Sequence, residues 1–194
     1  MIPCARAMCS QWCAILYSSI PWECAFVADQ PMTLRPLTRH GLATVMARKG
    51  IAGDAIAAVL GMEAPSGPCI EAYGARTLIG TGPGVWLLKD EVAGPDWAAE
   101  VARALAGLAS ISDQSSGYAL FELAGPCARS VLQSGLAIDM HPQAFPQGHA
   151  ATSVIAHIGV ILWCVGPDIF HLATFRSYAT DFRHWLDHAS QHIA

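Results

Sequence analysis

The chain has 194 residues, 53% of them hydrophobic and only 13% charged, with a formal net charge of −4. The length suits one domain with a real core, and a charged fraction well below the ~25% usual for soluble domains implies that part of the apolar surface is hidden against another protein, or that the chain is sticky. Its two lysines, Lys49 and Lys89, and its scattered arginines form no basic stripe, which argues against nucleic-acid binding.

Residues 1–31 read differently from the rest. Four of the seven cysteines (Cys4, Cys9, Cys13, Cys24) lie there with Trp12 and Trp22 and no clean period. They form no Cys-x-x-Cys knuckle and no His lies nearby, which disfavours zinc. An Arg6-led signal peptide ending at Ala28 is weakened by Pro21 and Glu23. The preferred reading is an extension outside the fold, disordered or arising from an upstream start, with the domain proper running over 32–194 from Met32. The odd cysteine count without a spaced disulfide framework suits a reducing cytoplasm.

A helix is expected from Gly53 to Gly61, capped by Asp54, with Ile56, Val59 and Leu60 as its stripe. Short strands follow at Cys69–Tyr73, Thr77–Ile79 and Val85–Leu88. The Gly80-Thr-Gly-Pro-Gly84 run before the last lacks the Lys-Ser/Thr of a phosphate loop and reads as a hairpin turn. After Gly94-Pro95-Asp96, Trp97, Val101, Leu105 and Leu108 share one helical face.

Ile111–Pro146 is the most informative stretch. It begins as a strand, with Ala119, Phe121 and Leu123 on one face and Tyr118, Leu120, Glu122 and Ala124 on the other. Gly125-Pro126 turns it into a short helix striped by Ala128, Val131 and Leu132, which Gly135 is expected to end as a left-handed residue. Pro142 and Pro146 then make the Asp139–Pro146 segment a semi-rigid surface loop, in which Phe145 either plugs the core edge or faces a partner.

His149–Pro167 carries no Asp, Glu, Lys or Arg, yet its glycines divide it and its Val, Ile and Trp suit two buried strands, Thr152–Ile158 and Val160–Val165, better than a membrane span. Gly166-Pro-Asp-Ile-Phe-His-Leu172, followed by a helix bearing Phe182, Trp185, Leu186 and Ala189, echoes Gly82-Pro-Gly-Val-Trp-Leu-Leu88 and its Trp97 helix. The expected fold class is therefore α+β, with mainly antiparallel sheets, outer helices, and duplicated β/α halves sharing one core.

Candidate chemistry is sparse. His184, His188 and His192 recur at i, i+4, i+8 but read as a solvent-facing stripe. Asp139 and His141 have the spacing of a carboxylate orienting a base, without a companion nucleophile in Cys127 or Ser134, so Asp139 reads as a turn former and His141 as a partner contact. Arg176, before a helix expected to be capped at Ser177, could clamp a carboxylate of a ligand or neighbour, or make an internal salt bridge. No G-x-G-x-x-G stands between strand and helix, so a dinucleotide site on this chain is not supported.

Asp113-x-Ser115, the Leu120-Phe-Glu-Leu-Ala-Gly-Pro-Cys-Ala-Arg-Ser-Val-Leu-Gln-Ser-Gly135 run, the Ile138-Asp-Met-His-Pro-x-x-Phe-Pro-x-Gly148 loop and Arg176-Ser-Tyr-Ala179 resemble the gamma subunit of heterotetrameric sarcosine oxidase. That family in turn resembles the folate-binding domain of the glycine-cleavage T protein. The resemblance runs from about Leu34 to the C-terminus. The chain reads Gly135-Leu-Ala-Ile-Asp-Met140 where the family usually has Gly-Cys-Pro-Leu-Asp-Leu, and Ala151-Thr152 where it usually has Gln-Thr. The resemblance implies a T-protein-like fold and a cytoplasmic, non-catalytic subunit that docks the alpha, beta and delta subunits. No cofactor is expected on this chain; FAD, FMN, NAD, zinc and tetrahydrofolate belong to the partner subunits. Asp139, His141, Pro142, Phe145, Pro146, Arg176, Ser177 and Tyr178 are the candidate interface residues. Two alternatives stay open: a stand-alone tetrahydrofolate-binding protein of the T-protein type, with a carboxylate-lined pterin pocket, and an adaptor serving a different amine oxidase.

Overall fold

In the computed structural model the described residues are 32–193, so the expectations for the cysteine-rich extension lie outside them. Ten strands and four helices are described: β1 (Thr33–Leu37), β2 (Gly41–Ala47), α1 (Gly53–Leu60), β3 (Ile70–Tyr73), β4 (Arg76–Gly82), β5 (Val85–Asp90), α2 (Trp97–Ala104), β6 (Ala109–Asp113), β7 (Tyr118–Ala124), α3 (Ala128–Gln133), β8 (Ala150–Ile155), β9 (Ile158–Gly166), β10 (Ile169–Phe175) and α4 (Ala179–Ile193).

They form two five-stranded sheets, ordered β1-β7-β10-β9-β8 and β3-β4-β5-β2-β6, in which every pairing is antiparallel. The orders superimpose position by position. Reading β7 for β2, β8–β10 for β3–β5 and β1 for β6 converts one sheet into the other, with α3 and α4 taking the places of α1 and α2. The duplication glimpsed in two Gly-Pro turns therefore extends through the whole fold. The first described strand, β1, completes the half built mostly from the C-terminal part of the chain.

Alternation along the strands explains the layers. Phe121, Leu123, Leu162, Phe170 and Leu172 meet Val131 and Leu132 of α3 and Phe182 and Leu186 of α4. Val45, Leu78, Trp86 and Leu88 meet Ile56 of α1 and Trp97 and Val101 of α2. The opposite strand faces supply Leu42, Ile79, Leu87, Leu120, Ala150, Trp163 and Ala173 to a cluster drawn from both sheets. The single shared core expected from the sequence is thus three apolar layers, because a strand buried on both faces feeds two of them. Each buried aromatic contributes about 1.5–3 kcal/mol.

Several local expectations change. Ala52, not Asp54, precedes α1, and Asp54 lies in the first turn, where its charge suits the helix dipole. Val59 is exposed while Ile56 and Leu60 are buried. Gly61 does end α1 in the left-handed region, at φ 69°. Gly135 does not do so for α3: it has no positive φ, and a Cβ built there would collide with the Trp185 ring. Its missing side chain admits an aromatic, which no local pattern announces. The break between the two apolar strands falls at Ala156-His157 rather than Gly159, because keeping Ile155, Ile158, Val160 and Leu162 buried fixes the register there.

Candidate functional site

The proline-rich loop leaves α3 and returns to β8. It is held by two buried pegs, Met140 and Phe145, with His141, Pro142, Gln143 and Ala144 exposed between them. The Asp139 carboxylate accepts the His141 backbone N–H at 2.8 Å, and the His141 carbonyl accepts the N–H groups of Ala144 and Phe145 at 2.8 Å each. The His141 ring Nδ1 accepts the Gln143 N–H at 3.3 Å. Asp139 is therefore the turn former expected, its carboxylate bonding main chain rather than the imidazole, and His141 takes part in the same turn.

Phe145, offered from the sequence as a core plug or a partner contact, is 5% exposed and packs in the layer under α3 and α4, its ring 6.5 Å from that of Phe170. Its ring is covered by its own chain, which removes it from the set of side chains free to touch a neighbour. Pro146 is half-buried beside it.

The residue that the sequence reading missed is Arg129. From α3 its Nε and Nη2 donate to the Pro167 carbonyl at 3.0 and 2.8 Å, and its Nη1 donates to the carbonyls of Met140 (2.8 Å) and Phe145 (3.0 Å). The guanidinium lies 4.9 Å over the Phe170 ring and 3.5 Å from the Asp168 carboxylate. One planar cation thus ties the loop to the β9–β10 turn, a task suited to the five fixed donors of Arg. A helix stripe of Ala128, Val131 and Leu132 gives no sign of it; only the folded loop supplies the carbonyls.

Arg176, Ser177 and Tyr178 form a single 3-10 turn between β10 and α4. Ser177 lies inside that turn rather than capping a helix, and Tyr178 is exposed. Among the described residues Arg176 meets no carboxylate in a salt bridge. Its Nε donates to the Ser116 carbonyl at 2.7 Å and its Nη2 to that of Tyr118 at 3.2 Å, while its backbone N–H bonds Gly117. These carbonyls belong to the 114–117 turn that returns the chain from the second sheet to the first, and to Tyr118, the first residue of β7. Asp113 accepts the Ser115 N–H in the same turn, and Ser115 Oγ bonds the Leu42 backbone at 3.0 and 3.3 Å. The Asp113-x-Ser115 and Arg176-Ser-Tyr-Ala segments, far apart in sequence, are thus two sides of one crossover.

Two carboxylates stabilise the sheets. Glu122 takes Arg35 in a two-pronged contact of 2.6 and 3.0 Å and His171 Nε2 at 3.1 Å, and the Arg35 guanidinium holds its carboxyl below the usual range. Burial alone would raise Asp90, but hydrogen bonds from Arg76, the Val92 N–H and Trp97 Nε1 outweigh it and hold it low. His184, His188 and His192 form the exposed stripe expected, and among the described residues no group of three or more His, Cys, Asp and Glu is placed to hold a metal ion. A shallow cavity of about 730 Å³ between α1 and β3 is lined by Asp54, Glu63, Glu71 and Tyr73 over an apolar floor. Among the described residues no helix is long and apolar enough to cross a membrane.

The profile described as the sarcosine oxidase, gamma subunit family matches residues 46–192. This chain belongs to that gamma subunit family. It is 30% identical over 169 residues to sarcosine oxidase subunit gamma of Corynebacterium sp. strain U-96, an alignment covering 84% of this chain and 82% of that one. Against the gamma subunit of Corynebacterium sp. strain P-1 it is 33% identical over 116 residues, 57% of each chain. The structure is similar to a chain of the heterotetrameric sarcosine oxidase from Corynebacterium sp. U-96 in complex with pyrrole 2-carboxylate, with a TM-score of 0.77, 28% identity, and coverage of 89% of this chain and 91% of that one. Its similarity to the glycine cleavage system aminomethyltransferase T from Bartonella henselae (TM-score 0.58, 14% identity, 80% of this chain and 45% of that chain) concerns the fold alone. The fold is accordingly T-protein-like, as the sequence resemblance implied. The gamma-family segments that carried the resemblance are here the Arg129-tied loop and the Arg176-clamped crossover.

Proposed function

We propose that the chain is the gamma-type subunit of a heterotetrameric sarcosine oxidase, a cytoplasmic, non-catalytic component that docks and buttresses the flavin-bearing subunits. The complex would demethylate sarcosine oxidatively to glycine, pass electrons through flavins to oxygen to give peroxide, and transfer the one-carbon unit to tetrahydrofolate. The alpha, beta and delta partners would hold FAD, FMN, NAD, zinc and tetrahydrofolate. The observation that carries this reading is the structural similarity to a chain of such a heterotetramer over 89% of this chain and 91% of that one. The pre-shaped loop tip supports it, because a turn already locked by its own chain loses little entropy on docking. Asp139, His141 and Pro142 on that loop, with Ser177 and the exposed Tyr178, are the contacts proposed; Arg176 acts by holding its turn.

Co-expression with candidate flavin-bearing subunits tests the reading, followed by mass and flavin absorbance through size exclusion. The chain is expected to elute in a yellow complex. Pro142→Arg on the exposed tip should leave the complex while keeping the isolated chain's urea midpoint, whereas Phe145→Asp should unfold the chain with or without partners. Co-elution of Pro142→Arg at wild-type levels would remove the tip from the interface, and failure of the wild-type chain to co-elute would end the docking reading.

The stand-alone tetrahydrofolate reading has one observation in its favour, the acid-lined cavity between α1 and β3. It predicts tetrahydrofolate binding by the chain alone, weakened at least tenfold by Glu71→Gln. Absence of binding in calorimetry would dismiss it.

A further inference from the structure

Among the described residues the chain passes between the sheets twice, and the first passage carries a side chain with two buried nitrogens that lack a hydrogen-bond partner. Residues 38–40 lead from β1 in one sheet to β2 in the other. Among the described residues the buried side-chain nitrogens and oxygens without a hydrogen-bond partner are Nδ1 and Nε2 of His40 and Nδ1 of His171. A buried polar atom left unpaired has lost its hydration without compensation, and such atoms call for a reason. Arg39, immediately before His40, stands at φ 62°, a left-handed backbone that non-glycine residues rarely hold, so the passage is strained as well as unsatisfied.

The charged neighbours of the two histidines differ. His171, on β10, faces the Glu122 carboxylate of β7, Lys89 at the end of β5 and Glu91 beyond it, and the edge of the Trp163 ring of β9 at 5.6 Å. A proton arriving there has carboxylates to meet, although burial still holds His171 below the ordinary imidazole value. His40 is acted on by Lys89 of β5 and Arg176 of the turn after β10, both cations. The Lys89 side chain is 5% exposed and its ammonium bonds Glu91 at 2.7 Å, so it is fixed in place rather than free to swing away. A protonated His40 would add a third positive charge to those of the buried Lys89 and of Arg176, whose guanidinium donates to the Ser116 and Tyr118 carbonyls.

We infer that His40 is an acid-sensitive latch on the β1–β2 crossover: neutral, it packs the crossover between the sheets, and protonated, it leaves for water and loosens β1. β1 is the strand placed to move, a five-residue edge strand largely exposed along its length. The Arg35–Glu122 contact continues to hold it until the carboxylate is protonated, so loosening precedes acid unfolding. Burial first, then Lys89 and Arg176, hold His40 below the ordinary imidazole value. The closed form is therefore favoured fully above the ordinary imidazole range, ~6.5, and weakens as the pH falls below it, because the open form takes up a proton that the closed form refuses.

Amide hydrogen exchange on the full chain at pH 7.5 and 5.5 tests the latch, reading protection of β1 relative to β9 so that the intrinsic pH dependence of exchange cancels. The ratio is expected to fall at the lower pH in the wild type and in His171→Phe, by at most about tenfold, the limit for one imidazole that titrates at ~6.5 in the open form. It should stay constant in His40→Phe and in His40→Gln, the latter keeping polarity without titrating should the former not fold. A constant ratio in the wild type, or an equal fall in a folded His40 variant, overturns the latch.

Discussion

Arg129 occupies one polar position on a six-residue helix in the sequence, yet its guanidinium reaches the carbonyls of Met140 and Phe145 in the proline-rich loop and of Pro167 in the β9–β10 turn. Removing it strands these acceptors in a site where the side chain is only 12% exposed. Arg129→Ala should therefore cost roughly 2–4 kcal/mol in urea unfolding, and Arg129→Lys should recover little, because a point-like ammonium cannot serve divergent acceptors at once. Glu122 presents the reverse case. Its register opposite Arg35 and His171 exists only once β1 and β10 flank β7, so a strand reading could assign it a face but no partner.

The β8–β9 hairpin turns on two residues, Ala156 at φ 47° and His157 at φ 70°. Two-residue hairpins favour Asn-Gly in this conformation, and a Cβ at positive φ is strained. Replacing Ala156-His157 by Asn-Gly should stabilise the chain by about 1 kcal/mol, seen as a higher midpoint in thermal or urea unfolding. An unchanged or lower midpoint would show that the turn is held by something other than its own backbone preference. Gly135→Ala tests packing rather than backbone: it should destabilise α3 against α4 by about 1–3 kcal/mol, since the Trp185 ring must shift. Trp185→Leu in the same background should restore part of the loss.

Two sheets of identical order, each with its pair of helices, are held together by the apolar layer between them and by crossovers at 38–40 and 114–117. Charge enters this scaffold at few points, and its pH dependence follows from them. Glu122 and Asp90 are both held below the usual carboxylate range, so the stability they contribute is present above their unfolded values of about 4 and is lost as the pH falls through their folded values. Acid unfolding of the chain should therefore steepen below about pH 4, and Glu122→Gln should flatten that limb when stability is measured between pH 2 and 6. A limb unaffected by this substitution would place the acid sensitivity elsewhere. The histidines act in the window above it: His40 and His171 are both held low, mainly by burial, so their effect begins as the pH drops below about 6.5.

Periodicity and turn chemistry were enough to locate α1, α2, α3, α4 and the strands β3–β5 and β7–β10, though not β1, β2 or β6, because these signals depend on neighbours a few residues apart. The Gly-Pro corners and the Trp97 and Phe182 helices even disclosed a repeat, and the family segments identified the T-protein-like class. Local signals could not say that β1 belongs to the other half's sheet, that Phe145 is enclosed, that Gly135 makes room for Trp185, or that Arg129 and Arg176 bind carbonyls instead of carboxylates. Each of those outcomes is a meeting of residues far apart in the chain. The sequence by itself determined which faces are apolar and where the backbone bends; only the tertiary structure decided which face meets which, because burial and hydrogen-bond satisfaction are set by partners that arrive from elsewhere in the chain.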